Sequence, residues 1–258
     1  MSILEAKNIT KIYAPKKGGM KVKALNNFSM TVEDGEFIGV MGPSGSGKTT
    51  LLNILATLDY PSSGEIRISN INPSTLNDKA ISLFRRREIG FIFQDFNLLE
   101  SLSIEENILL PLALEKVEIL EIEQRLRSIT EFLDIRSILG KRVYEISGGQ
   151  RQKVACARAL INNPSIIFAD EPTGSLDSKS AYDIMDGLSK LNKDKKATVL
   201  MVTHDPFVAS FCNKVIMIKD GRFFLDIVKR NSRETFFKEI IDSLSLLGDI
   251  RRSYNDLK

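Results

Sequence analysis

A chain of 258 residues, 43% hydrophobic and 27% charged, has the make-up of an ordinary globular protein and the length for one large domain, with or without an inserted subdomain. A formal net charge of +3 is too small for the basic stripe that nucleic-acid binding needs, so no nucleic-acid partner is expected. Two distant cysteines, Cys156 and Cys212, fit no metal-ligand spacing and read as buried small hydrophobes in a reducing compartment.

The start, MSILEAKNITKIY, lacks the basic-then-apolar design of a signal peptide, and no apolar run approaches the roughly 20 residues of a bilayer span. The reading is a cytosolic chain that reaches a membrane only through a partner.

In chain order, residues 3–13 and 22–32 are predicted strands around a polar loop, 14–21. Phe37–Met41 is a buried strand between Gly35 and Gly42, and a helix is expected over 49–58. Strands follow at 64–71 and 90–93. From 97 to 163 the pattern turns helical and charge-rich, then short apolar strands return at 166–169, 198–202 and 215–218. Strands alternating with helices imply an α/β chain whose sheet is mainly parallel and covered on both faces. Gly221 ends the predicted core, and the tail carries an amphipathic helix around 235–247.

Gly42-Pro43-Ser44-Gly45-Ser46-Gly47-Lys48-Thr49, followed by Thr50, fits G-x-x-x-x-G-K-[ST] between a strand and a helix. Such glycines let backbone N–H groups turn inward as an anion nest at the positive end of a helix. Lys48 brings a point charge to the β- and γ-phosphates of a nucleotide, and the Thr49 hydroxyl is a ligand for Mg²⁺. An apolar strand ending in Asp170-Glu171 puts two carboxylates at the sheet edge where ligands of parallel sheets bind. Asp170 suits Mg²⁺ and Glu171 the general base that polarises the attacking water. His204, the one histidine, ends another apolar strand at that edge, where a neutral imidazole reaches a γ-phosphate; the duller role for a lone histidine is structural.

Ile146-Ser147-Gly148-Gly149-Gln150 resembles the LSGGQ signature of ABC ATPases, with N-cap chemistry and backbone donors at a helix start. Gly-Gly opening a helix is weak alone; between a P-loop and an Asp-Glu strand it is specific. The resemblance covers residues 3–222. It implies the P-loop NTPase (RecA-like) fold of an ABC ATPase, with an N-terminal antiparallel β subdomain and an inserted helical subdomain. The implied division is a nucleotide-binding core at 1–93 and 164–221, a helical insert at 94–163, and a tail at 222–258. By the same resemblance Tyr13 stacks on adenine, Gln94 meets Mg²⁺ and the attacking water, Ser175-Leu176-Asp177 is the D-loop, and His204 is the switch histidine. ATP and Mg²⁺ are then the expected ligands. Ser147, Gly148, Gly149, Gln150 and Asp177 would act on nucleotide held by a second copy, in a nucleotide-dependent head-to-tail homodimer.

Residues 91–99, 106–112 and 168–177 are similar to the group whose permeases have few membrane helices and a large extracytoplasmic domain, which includes lipoprotein-releasing, macrolide-exporting and cell-division ATPases. Residues 203–206, 209–212, 218–221 and 233–241 are most similar, within it, to the bacitracin-type ATPases of antimicrobial-peptide resistance. That implies a peripheral place on the cytoplasmic face of the membrane, a permease partner, and often a sensor-kinase pathway. Phe96, Leu98, Leu99 and Leu102 read either as a socket for a permease helix or as core of the insert. The basic stretch Lys16-Lys17-Gly18-Gly19-Met20-Lys21-Val22-Lys23 reads as a nucleotide or headgroup contact or as a solvated hairpin loop. The tail helix reads as a docking element or as cover for the core. Two rivals stand beside this reading: an ABC ATPase with no membrane partner, opposed by the lack of long coiled coils and of a second cassette, and a small-molecule kinase, opposed by the SGGQ segment and by the glutamate after Asp170.

Overall fold

A computed structural model describes residues 1–14, 20–115 and 117–255, with 248–255 as backbone alone; half of the basic stretch 16–23, residues 16–19, lies outside the described residues. The elements run β1 (Ser2–Tyr13), β2 (Val22–Glu33), β3 (Phe37–Met41), α1 (Lys48–Leu55), β4 (Ser63–Ile68), α2 (Asp78–Glu88), β5 (Ile89–Ile92), α3 (Ile104–Ala113) and α4 (Ile119–Phe132). There follow α5 (Gly148–Leu160), β6 (Ile166–Asp170), α6 (Ser178–Lys195), β7 (Val199–Val202), α7 (Pro206–Ala209), β8 (Lys214–Lys219), β9 (Arg222–Val228) and α8 (Arg233–Asn255). One sheet has the order β2-β1-β4, and a six-stranded sheet has the order β5-β6-β7-β3-β8-β9. The chain forms two compact units, residues 1–75 with 200–258, and residues 76–199.

In the first unit β1 pairs antiparallel with β2 and with β4, matching Leu4 to Val32, Ala6 to Met30 and Ile9 to Phe28. These residues are buried, so period-2 alternation sets the register. Register shifts fall near Asn8 and Asn27, which adopt φ of 54° and 55°, a left-handed conformation that asparagine tolerates better than most residues. β3 is buried at every position and pairs parallel with β8, as expected of a run apolar on both faces. β8 pairs antiparallel with β9. Residues 222–228, which the sequence reading places in the tail, are thus a strand at the end of the sheet order. In α8, Phe236, Ile240 and Leu247 are buried at helical spacing, so this stretch of the tail covers apolar surface of its own unit.

In the second unit β5 pairs parallel with β6, matching Gly90 to Ile167 and Phe91 to Phe168. Asn77 caps α2 by accepting from the Ala80 amide at 2.9 Å. Ser103 and Glu106 form a reciprocal capping box at α3. The Asn107 side chain, with no exposed surface, accepts from the Leu99 amide at 2.7 Å and donates to the Leu99 and Ser103 carbonyls at 3.0 and 2.9 Å. That triple tie orders the turn between the Gln94 region and the first helix of the insert. Both cysteines are buried free thiols, as expected. Burial pushes Cys156 up to about 12 and Cys212 higher still, so neither is a nucleophile at neutral pH. Among the described residues no helix is long and apolar enough to cross a membrane.

Candidate functional site

β3 delivers the chain into the glycine-rich loop at Gly42. A Cβ on Gly42 would lie 2.1 Å from the Ile218 carbonyl, and one on Gly47 would lie 2.4 Å from the Ala24 carbonyl. Gly47 is also the N-cap of α1 with φ of 98°, and no side chain caps that helix start. The N-cap thus offers the first-turn amides no side-chain acceptor, and the first turn holds no acidic residue, an arrangement suited to an anion at this helix start.

Two side chains in the loop carry the same message. Lys48 is only 9% exposed, and its Nζ donates back to the carbonyls of Gly42 and Pro43 at 2.9 and 3.0 Å. Ser46 is 3% exposed, and its hydroxyl has no hydrogen-bond partner among the described residues. An orphaned buried hydroxyl costs about 1–3 kcal/mol, a penalty that an anion seated in the loop removes. The residues present fit a polyphosphate.

Tyr13, 42% exposed, ends β1 in the same unit. Its hydroxyl donates to Asp59 Oδ2 at 2.9 Å, and Lys11 Nζ donates to Asp59 Oδ1 at 2.7 Å. The Lys11 ammonium also stands 4.9 Å from the Tyr13 ring centroid. Partial burial raises the Asp59 carboxyl, but hydrogen bonds from Lys11, Tyr13 and the Tyr60 amide outweigh it and hold it below its ordinary value. Burial pushes the Tyr13 phenol up, opposed by a hydrogen bond from the Thr50 side chain, which links Tyr13 to the end of the phosphate loop. The sequence reading names Tyr13 and Thr50 but misses Lys11 and Asp59. Lys11 lay in plain view two residues before Tyr13 on one strand face, whereas nothing local points to Asp59. His204 is exposed, two residues after the end of β7.

The second unit gathers the other predicted groups. Asp170 closes β6, and Glu171 follows with φ of 42°, a strained setting for a non-glycine residue. A Cβ on Gly174 would lie 3.3 Å from Gln94 Nε2 and 3.5 Å from Glu171 Oε2, so Gln94 and Glu171 converge on this glycine. Asp177 caps α6, accepting from the Lys179 and Ser180 amides at 3.1 and 3.0 Å and from Ser180 Oγ at 2.7 Å. The hydrogen bonds to Ser180, above all, hold its carboxyl below the ordinary value. Ser147 caps α5 in a reciprocal box: Ser147 Oγ accepts from the Gln150 amide at 3.3 Å, and Gln150 Oε1 accepts from the Ser147 amide at 3.0 Å. The Gln150 amide is therefore engaged by the Ser147 cap, the N-cap chemistry expected of this helix start. A Cβ on Gly149 would lie 2.5 Å from Ser180 Oγ, so the signature glycines and the D-loop region pack together.

A groove of about 410 Å³ also lies in this unit, lined among others by Arg85, Phe91, Phe93, Leu110, Leu114 and Arg158. Of the four hydrophobic residues that the sequence reading offers as a socket, none lines it. Phe96, Leu98 and Leu102 are half-buried beside it in sequence, and Leu99 is exposed. The apolar wall comes instead from β5, the residue just after it, and α3 with the turn that ends it.

A family model described as ABC transporter matches residues 25–174. The chain is 56% identical over 248 residues to the uncharacterized ABC transporter ATP-binding protein YvcR of Bacillus subtilis, covering 96% of each chain. It is 47% identical over 255 residues to the bacitracin export ATP-binding protein BceA of Halalkalibacterium halodurans, covering 98% of this chain and all of that one. Among solved structures it is similar to the ATP-binding cassette MJ0796 of Methanocaldococcus jannaschii, a dimer in a post-hydrolysis state bound to ADP and Pi. The TM-score is 0.80 and the identity 42%, over 88% of this chain and 99% of that one. With a glycine-rich loop that fits a polyphosphate and a likeness to these cassettes over nearly the whole length, the chain belongs to the ABC transporter family and is one of its ATPases.

Proposed function

We propose that two copies of this chain bind MgATP head to tail and hydrolyse it to drive a separate integral membrane permease with an extracytoplasmic domain, in the bacitracin-type branch of antimicrobial-peptide resistance. The observation that carries the nucleotide chemistry is the glycine-rich loop itself: an orphaned Ser46 hydroxyl, and Lys48 donating to the carbonyls of its own loop. The 47% identity to a bacitracin export ATPase over its full length supports the branch.

In this reading the functional division is a core at 1–93 and 164–221, a helical insert at 94–163 and a tail at 222–258. Adenine stacks on the Tyr13 face opposite Lys11. The amides around Gly45, Gly47 and Thr49 take the phosphates, and Lys48 exchanges its two carbonyls for phosphate oxygens. Thr49, Asp170 and Gln94 are the residues that would hold Mg²⁺, whose charge neutralises the phosphate oxygens when it is bound. Glu171 accepts the proton of the water that attacks the γ-phosphorus, ADP leaves, and His204 hydrogen-bonds the γ-phosphate. Ser147, Gly148, Gly149, Gln150 and Asp177 complete the site of the opposite copy, so each chain holds two half-sites.

The groove beside Phe91 and Phe93 suits a permease helix, with apolar side chains to bury it and Arg85 and Arg158 to choose its charge. The chain then sits on the cytoplasmic face of the membrane through that permease, and a sensor kinase is reached through the same partner.

Glu171→Gln is expected to bind ATP, lose turnover and accumulate as a dimer by light scattering. Normal turnover in this variant removes Glu171 from its role. Mixing a Lys48→Ala chain with a Ser147→Ala chain should restore part of the activity, because one composite site of each mixed dimer is intact; no rescue in a mixture shown to dimerise rules out shared sites.

A further inference from the structure

We propose that Arg158 is the positioning residue for Gln94: its guanidinium latches the left-handed backbone of Phe96 and Asn97 and so fixes where the Gln94 side chain stands. This deepens the reading above and rests on it for the role of Gln94.

Phe96 and Asn97 are consecutive non-glycine residues with φ of 61° and 49°. The conformation strains Phe96 by an amount of order 1–2 kcal/mol and Asn97 by less, and such a pair persists where its surroundings hold it. The holder is visible. Arg158 Nη2 donates to the Phe96 carbonyl at 2.8 Å and Nη1 to the Asn97 carbonyl at 2.5 Å, across more than 60 residues of sequence. Two donors in one planar fork meet two successive carbonyls, which fixes direction as well as distance. Arg158 is half-buried, and this burial holds its guanidinium below its ordinary value, so the two bonds offset part of a desolvation penalty.

The placement of Arg158 follows from one glycine. A Cβ on Gly90 would lie 2.6 Å from the Ala159 carbonyl, so the last turn of α5 lies directly against β5, the strand that runs into Gln94. The same helix begins at the Ser147 cap. One rigid rod therefore ends in the signature segment at its start and in the Gln94 latch at its finish. The side chain of Arg158 also lines the groove, where an occupant bears on it directly.

The test uses the full-length chain with Arg158→Lys, which keeps the charge and the stem but loses the fork. Hydrogen exchange of the amides at 95–98 should rise at least tenfold relative to wild type. The turnover number should fall fivefold or more, with KM for ATP within twofold, and in a Gln94→Ala background the substitution should add less than a twofold effect. Adding Asn97→Gly, which relieves one strained residue, should recover part of the protection. If Arg158→Lys does not fold by circular dichroism, Arg158→Gln replaces it with the same expectations. Unchanged exchange at 95–98, or an equal fall in turnover with and without Gln94, overturns the latch. Full activity of Gln94→Ala alone would instead remove the assigned role of Gln94, and the exchange measurement would still decide whether Arg158 holds the loop.

Discussion

Alanine at Gly47 and at Gly45 should have different effects, and the difference can be worked out beforehand. Both glycines have left-handed φ, 98° and 76°, so an L-residue at either costs about 1–2 kcal/mol in backbone conformation. At Gly45 nothing lies within 4 Å of the added Cβ, and the conformational cost is the whole effect. At Gly47 the Cβ would lie 2.4 Å from the Ala24 carbonyl and 3.1 Å from Leu25 Cδ2. The backbone carbonyl belongs to β2 and cannot swing away as a flexible side chain would, so overpacking adds about 1–3 kcal/mol. Gly47→Ala should thus exceed Gly45→Ala by about that amount in urea unfolding, with equal m-values. If the loop shifts to relieve the clash, the loss moves from stability to affinity, and the dissociation constant for ATP rises tenfold or more, since 1.4 kcal/mol is a decade. Equal effects of the two substitutions in both assays would refute the reasoning, because they would mean that close approach to β2 places no demand on position 47.

Three further outcomes follow from the structure. Asn107→Ala strips the Leu99 amide and two carbonyls of their partner and should destabilise the chain by about 2–4 kcal/mol in denaturant, with proteolysis enhanced near 99–103; a loss under ~0.5 kcal/mol would show that the turn finds other partners. The Asp59 carboxyl is held below its ordinary value in the fold, so its contribution is complete above the unfolded carboxylate pKa and is lost as pH falls through the folded one. Asp59→Asn should accordingly flatten the acid limb of the stability curve and raise KM for ATP by freeing the Tyr13 ring, while unchanged KM would separate Asp59 from the base site. Native protein at pH 8 should react with a thiol reagent only on the time scale of its opening, since both thiols are buried and raised; reaction at the rate of a free peptide thiol would contradict their burial.

The parts of the fold that were legible in the sequence are those dictated by neighbouring residues. Phe37–Met41 emerges with the predicted ends because an apolar run between glycines, buried on both faces, has little else it can become. α2 went unread because only Ile81 and Phe84 of its residues are buried and Arg85-Arg86-Arg87 masks the periodicity, although Asn77-Asp78 was a visible start. β9 went unread for a related reason: every residue in it is exposed or half-buried, so no clean alternation marks it, and its pairing with β8 is settled only by the turn at Asp220–Gly221.

The site divides along the same line. A phosphate loop is legible because its chemistry is local: glycines at fixed offsets, a lysine and a threonine, all within one turn between a strand and a helix. The residues that orient the neighbouring groups are not local. Asp59 reaches Lys11 across 48 positions, and Arg158 reaches Asn97 across 61. Neither pairing has a period, a spacing or a composition that a linear reading can detect. Gly149 shows that even a residue matched by motif has its reason elsewhere in the chain, because what forbids a side chain there is Ser180, on the helix capped by Asp177. The contact also couples the segment at Gly149 to the start of α6: a shift of either by the width of a methyl group must be matched by the other. Separating them should therefore be harder than removing either cap, and Gly149→Ala should impair turnover more than Ser180→Ala, which opens space where the glycine substitution demands it.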